Sequence, residues 1–489
     1  MYFIMLKTAH AGFRGAESGA APQRQTAFQS FELFMVLIMK TRMIRILCAA
    51  AFLALGLGGC SRSQMNFQIA EAIGTAGMYE NNEPVETPQM AEKRKAQEES
   101  DRAEAELVSV LDRAGKLALG YNYEEALEVL DTITGQQSQD ERVLAARSQY
   151  EQGGSSLEKW EGKIPHLCFP CLIEDSMMAF DGDSLAYTYN TSMVTTREFK
   201  RILQSLYDNH YILIDIHSIA GPVTDDRGTT TVETLNLRVP SGKKPILLSQ
   251  DNLNYEGVKN GDGIATKLVL DEDGKVKAKY TDSGGHDLVG DYDFIPILDS
   301  FIEEHPDFSY QGARGIVSVS GSDGVFGYDL PESSGSDAGS GALTSSRLTA
   351  ADMTPEQKAV ADISAALRAE GWQIASAGWS HGYMNSMSAS EFASEMDNWV
   401  SRVGVLTGDA DILFYPYGAE VSYPGDNLDY LTGYGFIYLC GLWADTDYRE
   451  VTDEYMRMTR RFIDGYTLQN APHYFTDFFV TENILDEDR

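Results

Sequence analysis

The chain has 489 residues, with 39 Lys plus Arg against 73 Asp plus Glu and a formal net charge of −34 at pH 7. A field of that sign repels phosphate backbones and anionic lipid, so neither nucleic acid nor an anionic membrane surface is an expected partner. With 43% hydrophobic residues the chain can bury a real core, at about 100–200 residues per domain it implies more than one domain, and its 5 Cys are too few for a disulfide framework.

Residues 1–38 lie upstream of a credible start at Met39 or Met43 and are read as an over-extended N-terminus. Lys40, Arg42 and Arg45 then lead into the apolar run 46–57, which closes on Leu57-Gly58-Gly59-Cys60 before the polar Ser61-Arg62-Ser63-Gln64. A basic n-region, a short apolar core and small residues at the end predict a signal peptide over 39–59. The apolar run of about 12 residues falls short of the roughly 20 that span a bilayer. The Leu-Gly-Gly-Cys ending resembles a bacterial lipobox. That resemblance implies lipidation at Cys60 and an exported protein held to the membrane at the bacterial cell surface by a lipid anchor.

Residues 60–92 are polar and read as a linker. Over 93–160 the composition turns to Ala, Glu, Lys, Arg and Leu, and Leu107, Val110 and Leu111, then Ala126, Leu127, Leu130 and Ile133, recur at helical spacing. This predicts a helical stalk. Its stretch 118–127 resembles half of a tetratricopeptide unit, in which a small residue and an aromatic pack two antiparallel helices. One unit does not stack into a peptide-binding groove, so a spacer or stalk role is expected, the alternative being partner binding.

Residues 161–489 alternate short apolar strands with capped helices, the pattern of βα units around a parallel sheet or barrel. Runs at 164–169, 211–216, 246–249, 372–376 and 412–415 read as strands. Thr195-x-x-Glu198, Thr354-Pro355-Glu356-Gln357 and Ser388-x-x-Glu391 each open a helix. The charged, Gly-rich stretch 271–287 reads as a surface hairpin or loop, and the insert 330–350 as a flexible loop. Polar residues collect just after the strand ends, where parallel α/β folds place their sites.

The residues at those strand ends carry a family resemblance. Ile164-Pro165-His166-Leu167, Lys244-Pro245-Ile246-Leu247-Leu248-Ser249-Gln250-Asp251-Asn252, Ala377-Gly378-Trp379-Ser380-His381 and Tyr415-Pro416-Tyr417-Gly418 resemble, in order and spacing, the motifs of the NodB-like polysaccharide deacetylases. The resemblance spans roughly residues 164–468. It implies an α/β fold, a distorted (β/α) barrel, and hydrolysis of N-acetyl groups on cell-wall or extracellular amino-sugar polymers such as peptidoglycan or exopolysaccharide. It also implies a divalent metal, zinc or similar, that polarises the acetyl carbonyl and activates water for a carboxylate base.

Carried over residue by residue, Asp251 stands at the general base and His381 at one metal-binding His. Tyr415, Pro416, Tyr417, Gly418 and Trp379 stand along the substrate groove. Asn252 replaces the metal-binding Asp and is a weak donor, while Ala377 replaces the other metal His and supplies none. Catalytic zinc sites normally take three protein ligands. Phe414 stands where an Arg often begins the Pro-Tyr-Gly motif, and Leu468-Gln469-Asn470 lacks the His of the general acid, with His473 three residues on. The expectation is therefore a deacetylase-type protein of impaired activity, the alternative being a catalytically inactive glycan-binding or structural surface lipoprotein.

Each of these residues also has a plainer reading. Asp251 can cap a turn, and His381 can be a hydrogen-bonded structural residue. The aromatics, Trp443 among them, can be packing instead of a sugar platform. Cys168-x-x-Cys171 has the spacing of a redox or zinc pair but lacks a second pair.

Overall fold

Seven parallel strands close on themselves in chain order: β1 (His166–Phe169), β2 (Lys244–Gln250), β3 (Ile316–Val319), β4 (Gln373–Ser376), β5 (Ile412–Phe414), β6 (Tyr438–Leu442) and β7 (Met456–Phe462). This computed structural model describes residues 87–255, 262–330, 353–443 and 446–489. The signal segment, Cys60 and nearly all of the insert 330–350 lie outside the described residues. Residues up to 95 form one unit, of which the described part is the start of a helix, and residues 96–489 form a second compact unit. Among the described residues no helix is long and apolar enough to cross a membrane.

The barrel is distorted for visible reasons. The first half of β2 pairs with a short extra strand, Tyr211–Leu213, so β3 can pair only with Ser249 and Gln250 at its far end. β4 and β5 meet at a single pair, Ser376 with Leu413. Alternation along each strand separates two packing faces. Leu247, Ile316, Ala375, Ile412, Phe414, Tyr438, Cys440, Met456 and Met458 belong to one buried cluster, the barrel interior. Their neighbours Leu167, Leu248, Val317, Ile374, Leu413 and Leu439 face outward into the larger cluster, where they meet the helices.

The helices form where capping and periodicity agree. The extended Thr195 caps α4 (Thr196–Asp208) in a reciprocal capping box with Glu198, and Phe199, Ile202, Leu203 and Leu206 bury one stripe. Phe199 packs edge-on to Phe169 of β1 at 4.9 Å and beside Phe294 at the start of α5 (Phe294–Glu304). Burying each such side chain contributes about 1.5–3 kcal/mol. The boxes expected at Thr354 and Ser388 open α6 (Pro355–Ala369) and α7 (Ala389–Trp399). Stretch 271–287 lies in a three-stranded antiparallel meander built from Lys267–Leu270, Val276–Thr281 and Asp287–Gly290.

The helical segment rests against the barrel instead of standing clear of it. After its first helix (Pro88–Leu119), Tyr121 stacks on Tyr310 at 6.1 Å, and the Gln311 N–H donates to the Gly120 carbonyl. The next two helices, Tyr123–Asp131 and Glu141–Ser155, pack through Tyr123 against Gly153, where an added Cβ would lie 2.5 Å from the ring. Strand Glu158–Lys159 then pairs with Arg238–Val239.

At the N-terminal ends of β4–β6, His217 bridges Asp215 (Nδ1 to Oδ1, 2.7 Å) and Asp411 (Nε2 to Oδ2, 3.0 Å) beside the Tyr438 ring. Burial pushes this imidazole down, but the two aspartates outweigh it and carry it up to about 10. A raised folded-state value means the bridge contributes fully below the ordinary 6.5 and is lost as pH rises through about 10. The urea midpoint of the protein is therefore expected to fall over that window, by an amount reduced by solvent screening at these third-exposed groups. His217→Gln should flatten this decline, and an equal slope in both proteins would remove the bridge from the account.

Candidate functional site at the C-terminal mouth of the barrel

Asp251 is the first residue beyond β2, where its N–H donates to the Phe169 carbonyl at 2.8 Å. Both carboxylate oxygens are engaged: Oδ1 accepts the Ser318 hydroxyl at 2.8 Å, and Oδ2 lies 3.3 Å from Nη1 of Arg460. Arg460 comes from the inward phase of β7, after Met456 and Met458, and its side chain is wholly buried. Its guanidinium lies 3.8 Å from the Phe414 ring centre, and Nη1 also donates to the Cys168 sulfur at 3.3 Å. Burial works against the charge on Arg460, but Asp251 leads the opposing influences and holds the guanidinium above its ordinary value. Nε and Nη2 of Arg460 have no hydrogen-bond partner among the described residues.

Asn252 is a turn residue in this structure. It sits at φ 46°, a left-handed conformation that Asn tolerates better than most side chains, and its N–H donates to the Ser318 hydroxyl at 2.8 Å. Its Oδ1 accepts the Ser320 N–H at 3.2 Å, so the oxygen proposed as a weak metal donor is turned to the backbone after β3. Ala377 is buried and pairs through its N–H with the Val319 carbonyl.

His381 lies on the loop after β4, at φ 53° and with its ring edge-on to Tyr417 at 4.9 Å. Burial pushes its imidazole below the ordinary value, and the charges of Asp251, Arg460 and Asp323 act on it. Its Nε2 has no hydrogen-bond partner among the described residues. The loop is held from α7 by Glu395, whose two oxygens accept the Ser380 N–H at 2.7 Å and hydroxyl at 2.9 Å. Glu395 passes so close to Gly378 that a Cβ there would lie 2.6 Å from Oε1, and with φ at 71° only glycine fits.

A divalent metal does not fit these residues. Among the described residues no group of three or more His, Cys, Asp or Glu is arranged to hold one. At the positions carried over from the motifs there remain one imidazole, an amide oxygen already accepting a hydrogen bond, and a carboxylate paired with a cation. That falls below the three ligands of a catalytic zinc site, and the Asp251–Arg460 pair leaves no net negative charge to attract an ion.

The aromatic assignments divide. Tyr415 is fully buried with its hydroxyl 2.8 Å from that of Tyr423, and Pro416 is buried beside it, so both are wall residues and not sugar-facing. Gly418 takes φ 69° against Leu442 and shapes the turn. Trp379 is half-buried under Arg402, 4.8 Å away. Tyr417, by contrast, is 58% exposed and stacks on the equally exposed Tyr383 at 4.7 Å. Trp443, 55% exposed, follows β6 and is tied by its N–H to the Arg460 carbonyl. Tyr383, Tyr417 and Trp443 therefore line the mouth on three successive loops.

Other sequence candidates lie elsewhere. Cys168 and Cys171 are both thiols, and burial pushes Cys168 up to about 12 and Cys171 well above its ordinary value, so neither is a thiolate suited to redox or zinc chemistry. Leu468 is core, and His473 is exposed on the turn Pro472–Tyr474 with its ring against Tyr474. The sequence reading missed Arg460, Ser318, Glu395 and Tyr383. For Arg460 the signal was present: Met456, Met458 and Arg460 alternate as one face of a strand.

No family model matches the sequence, and no curated protein is significantly similar to it. Among solved structures, the chain is similar to that of the Streptococcus pyogenes deacetylase PplD in complex with acetate; the identity is 12%, the TM-score 0.32, and the match covers 63% of this chain and 97% of that one. The chain's own strand order makes it an α/β protein built on a distorted (β/α) barrel of seven parallel strands, closed between β7 and β1.

Proposed function

We propose that this protein is a barrel of the polysaccharide deacetylase type, anchored at the cell surface through Cys60, that captures N-acetylated glycans such as peptidoglycan or exopolysaccharide without metal-dependent deacetylation. The donor set carries this reading: of Asp251, Asn252, Ala377 and His381, only His381 keeps a metal-ligating atom without a hydrogen-bond partner among the described residues, and Asp251 is tied to Arg460 and Ser318. Amide hydrolysis needs a water made nucleophilic and a carbonyl made electrophilic. A carboxylate with one oxygen accepting a hydrogen bond and the other paired with a cation is a poor base, and a wholly buried guanidinium cannot reach a substrate carbonyl. Trp443 and the stacked Tyr383–Tyr417 pair, each more than half exposed, suit contact with sugar rings.

The test is a titration of the purified protein with chitooligosaccharide, run beside an acetate-release assay in zinc. Binding without acetate is expected, weakened roughly tenfold by Tyr417→Ala or Trp443→Ala. Acetate release together with stoichiometric zinc would overturn the reading. Cys60→Ala should release the protein from the membrane fraction, and its retention there would remove the anchor.

A further inference from the structure

We propose that the cleft between the helical segment and the base of the barrel is a binding site for a short peptide chain carrying both carboxylate and amino groups. The site is independent of the glycan reading above. It lies at the opposite end of the barrel from the mouth, since its lining residues Gly312 and Arg314 precede β3 and Gly371 precedes β4. Its volume is about 550 Å³, within the roughly 300–1,000 Å³ of ligand pockets. The two walls are joined along one edge, where the Gln311 N–H donates to the Gly120 carbonyl at 2.6 Å and a Cβ added at Gly120 would lie 3.3 Å from the Ser309 carbonyl. Ile302 and Pro306 give the cleft an apolar patch on the barrel side.

Four cations line this cleft in a chain whose net charge is −34. Arg113 and Lys116 stand three residues apart on one face of the first helix, both exposed, and neither pairs with a carboxylate among the described residues. Arg368, in the last turn of α6, donates Nε to the Thr407 carbonyl at 2.7 Å and Nη2 to the Asp409 carbonyl at 2.8 Å, which fixes its guanidinium before any ligand arrives. Arg314 is paired with Asp299 at 2.9 Å, and its Cγ would lie 3.7 Å from a Cβ at Gly371, beside the turn that follows Arg368. Balancing a helix dipole accounts for Lys116 and Arg368 singly, and Asp299 accounts for Arg314. Neither relation explains why all four line one cavity. Two carboxylates, Glu125 and Glu370, share the lining, and the Asn122 amide donates to Glu125 at 2.5 Å. This mixed pattern sets the ligand class. A uniformly anionic chain meets both carboxylates with like charge, whereas a peptide with acidic and amino groups can set an opposite charge against each. At 0.1 M salt the screening length is about 10 Å, so such a ligand responds to the cleft's own charges more than to the acidic surface beyond them.

Fluorescence polarisation with the full chain decides this, using labelled Ala-Glu-Lys-Glu-Ala as the probe, with polyglutamate and polyphosphate as the uniformly anionic comparisons. The probe is expected to bind, and to weaken as salt is raised. Arg113→Glu with Lys116→Glu, both on an exposed helix face, should weaken it by about tenfold or more while leaving the urea midpoint in place. Glu125→Gln should weaken the mixed peptide and strengthen polyglutamate, a reversal that general damage to the cleft does not produce. Tyr417→Ala should leave peptide affinity unchanged, so a failure of glycan binding at the mouth and a failure of peptide binding here are read apart. An unchanged affinity in the Arg113→Glu, Lys116→Glu variant would overturn the proposal. So would no binding of the probe by the parent protein, or tighter binding of polyglutamate or polyphosphate than of the mixed peptide.

Discussion

Arg460→Met is expected to lower the stability of the protein by about 3–5 kcal/mol, the cost typical of breaking a buried ion pair from one side. The substitution preserves bulk over the Phe414 ring but leaves the Asp251 carboxylate, whose side chain is 12% exposed, with the Ser318 hydroxyl as its main partner. Asp251→Asn should cost at least as much, because Arg460 is the more deeply buried of the two and already carries two N–H groups without partners. Removing both charges together should cost clearly less than the two single losses combined, since neither member is then left buried and alone. Urea unfolding of the four proteins measures the coupling. A single Arg460→Met variant within about 1 kcal/mol of the parent would mean that water reaches the pair freely, and the account of Arg460 as the mouth's fixed cation would fall with it.

That ion pair also shows where sequence reading stopped. The helices at Thr195, Thr354 and Ser388 were legible because a cap and an apolar stripe are local signals, contained within one stretch of chain. The polar positions at the ends of β2, β4 and β5 were legible for the same reason. Three barrel strands, β3, β6 and β7, escaped notice because strands buried on both faces show no clean polar alternation, and β7 ends in two arginines that read as surface. The alternation of Met456, Met458 and Arg460 is the one local signal that separates Arg460, which enters the barrel, from Arg461, which pairs with Asp447 at 2.6 Å. Buried Tyr415 and exposed Tyr417 are two residues apart and share a strand phase; the turn after β5, with Tyr417 at φ 57°, is what turns the second outward. The sequence shows Asn252 as a position without a carboxylate, but its hydrogen bond to the Ser320 N–H depends on the end of a strand far along the chain, which no spacing rule reports.

Arg489→Ala should cost about 3–5 kcal/mol as well, although the residue lies outside the barrel strands. Its guanidinium grips Glu198 with two parallel bonds, Nε to Oε1 at 2.6 Å and Nη2 to Oε2 at 2.7 Å, and both side chains are almost entirely buried. Glu198 is already the closing residue of the α4 capping box, accepting the Thr195 N–H at 2.9 Å, and its Oε1 also takes the Asp486 N–H at 2.9 Å. Arg489 further reaches the Asn190 and Met193 carbonyls, so one side chain ties the start of α4 to the segment before it. With Arg489 gone, the Glu198 carboxylate keeps two backbone donors but loses the one cation that pairs with it among the described residues, in a buried site. Thr195→Ala, which removes a cap hydroxyl and leaves the ion pair intact, gives the scale for comparison at about 1 kcal/mol. Urea midpoints for the two variants should therefore differ severalfold in their shift, with early loss of amide protection at the first turn of α4 in the Arg489 variant. If the two shifts are equal, the pair adds nothing beyond the cap, and the carboxylate is solvated more easily than its burial implies.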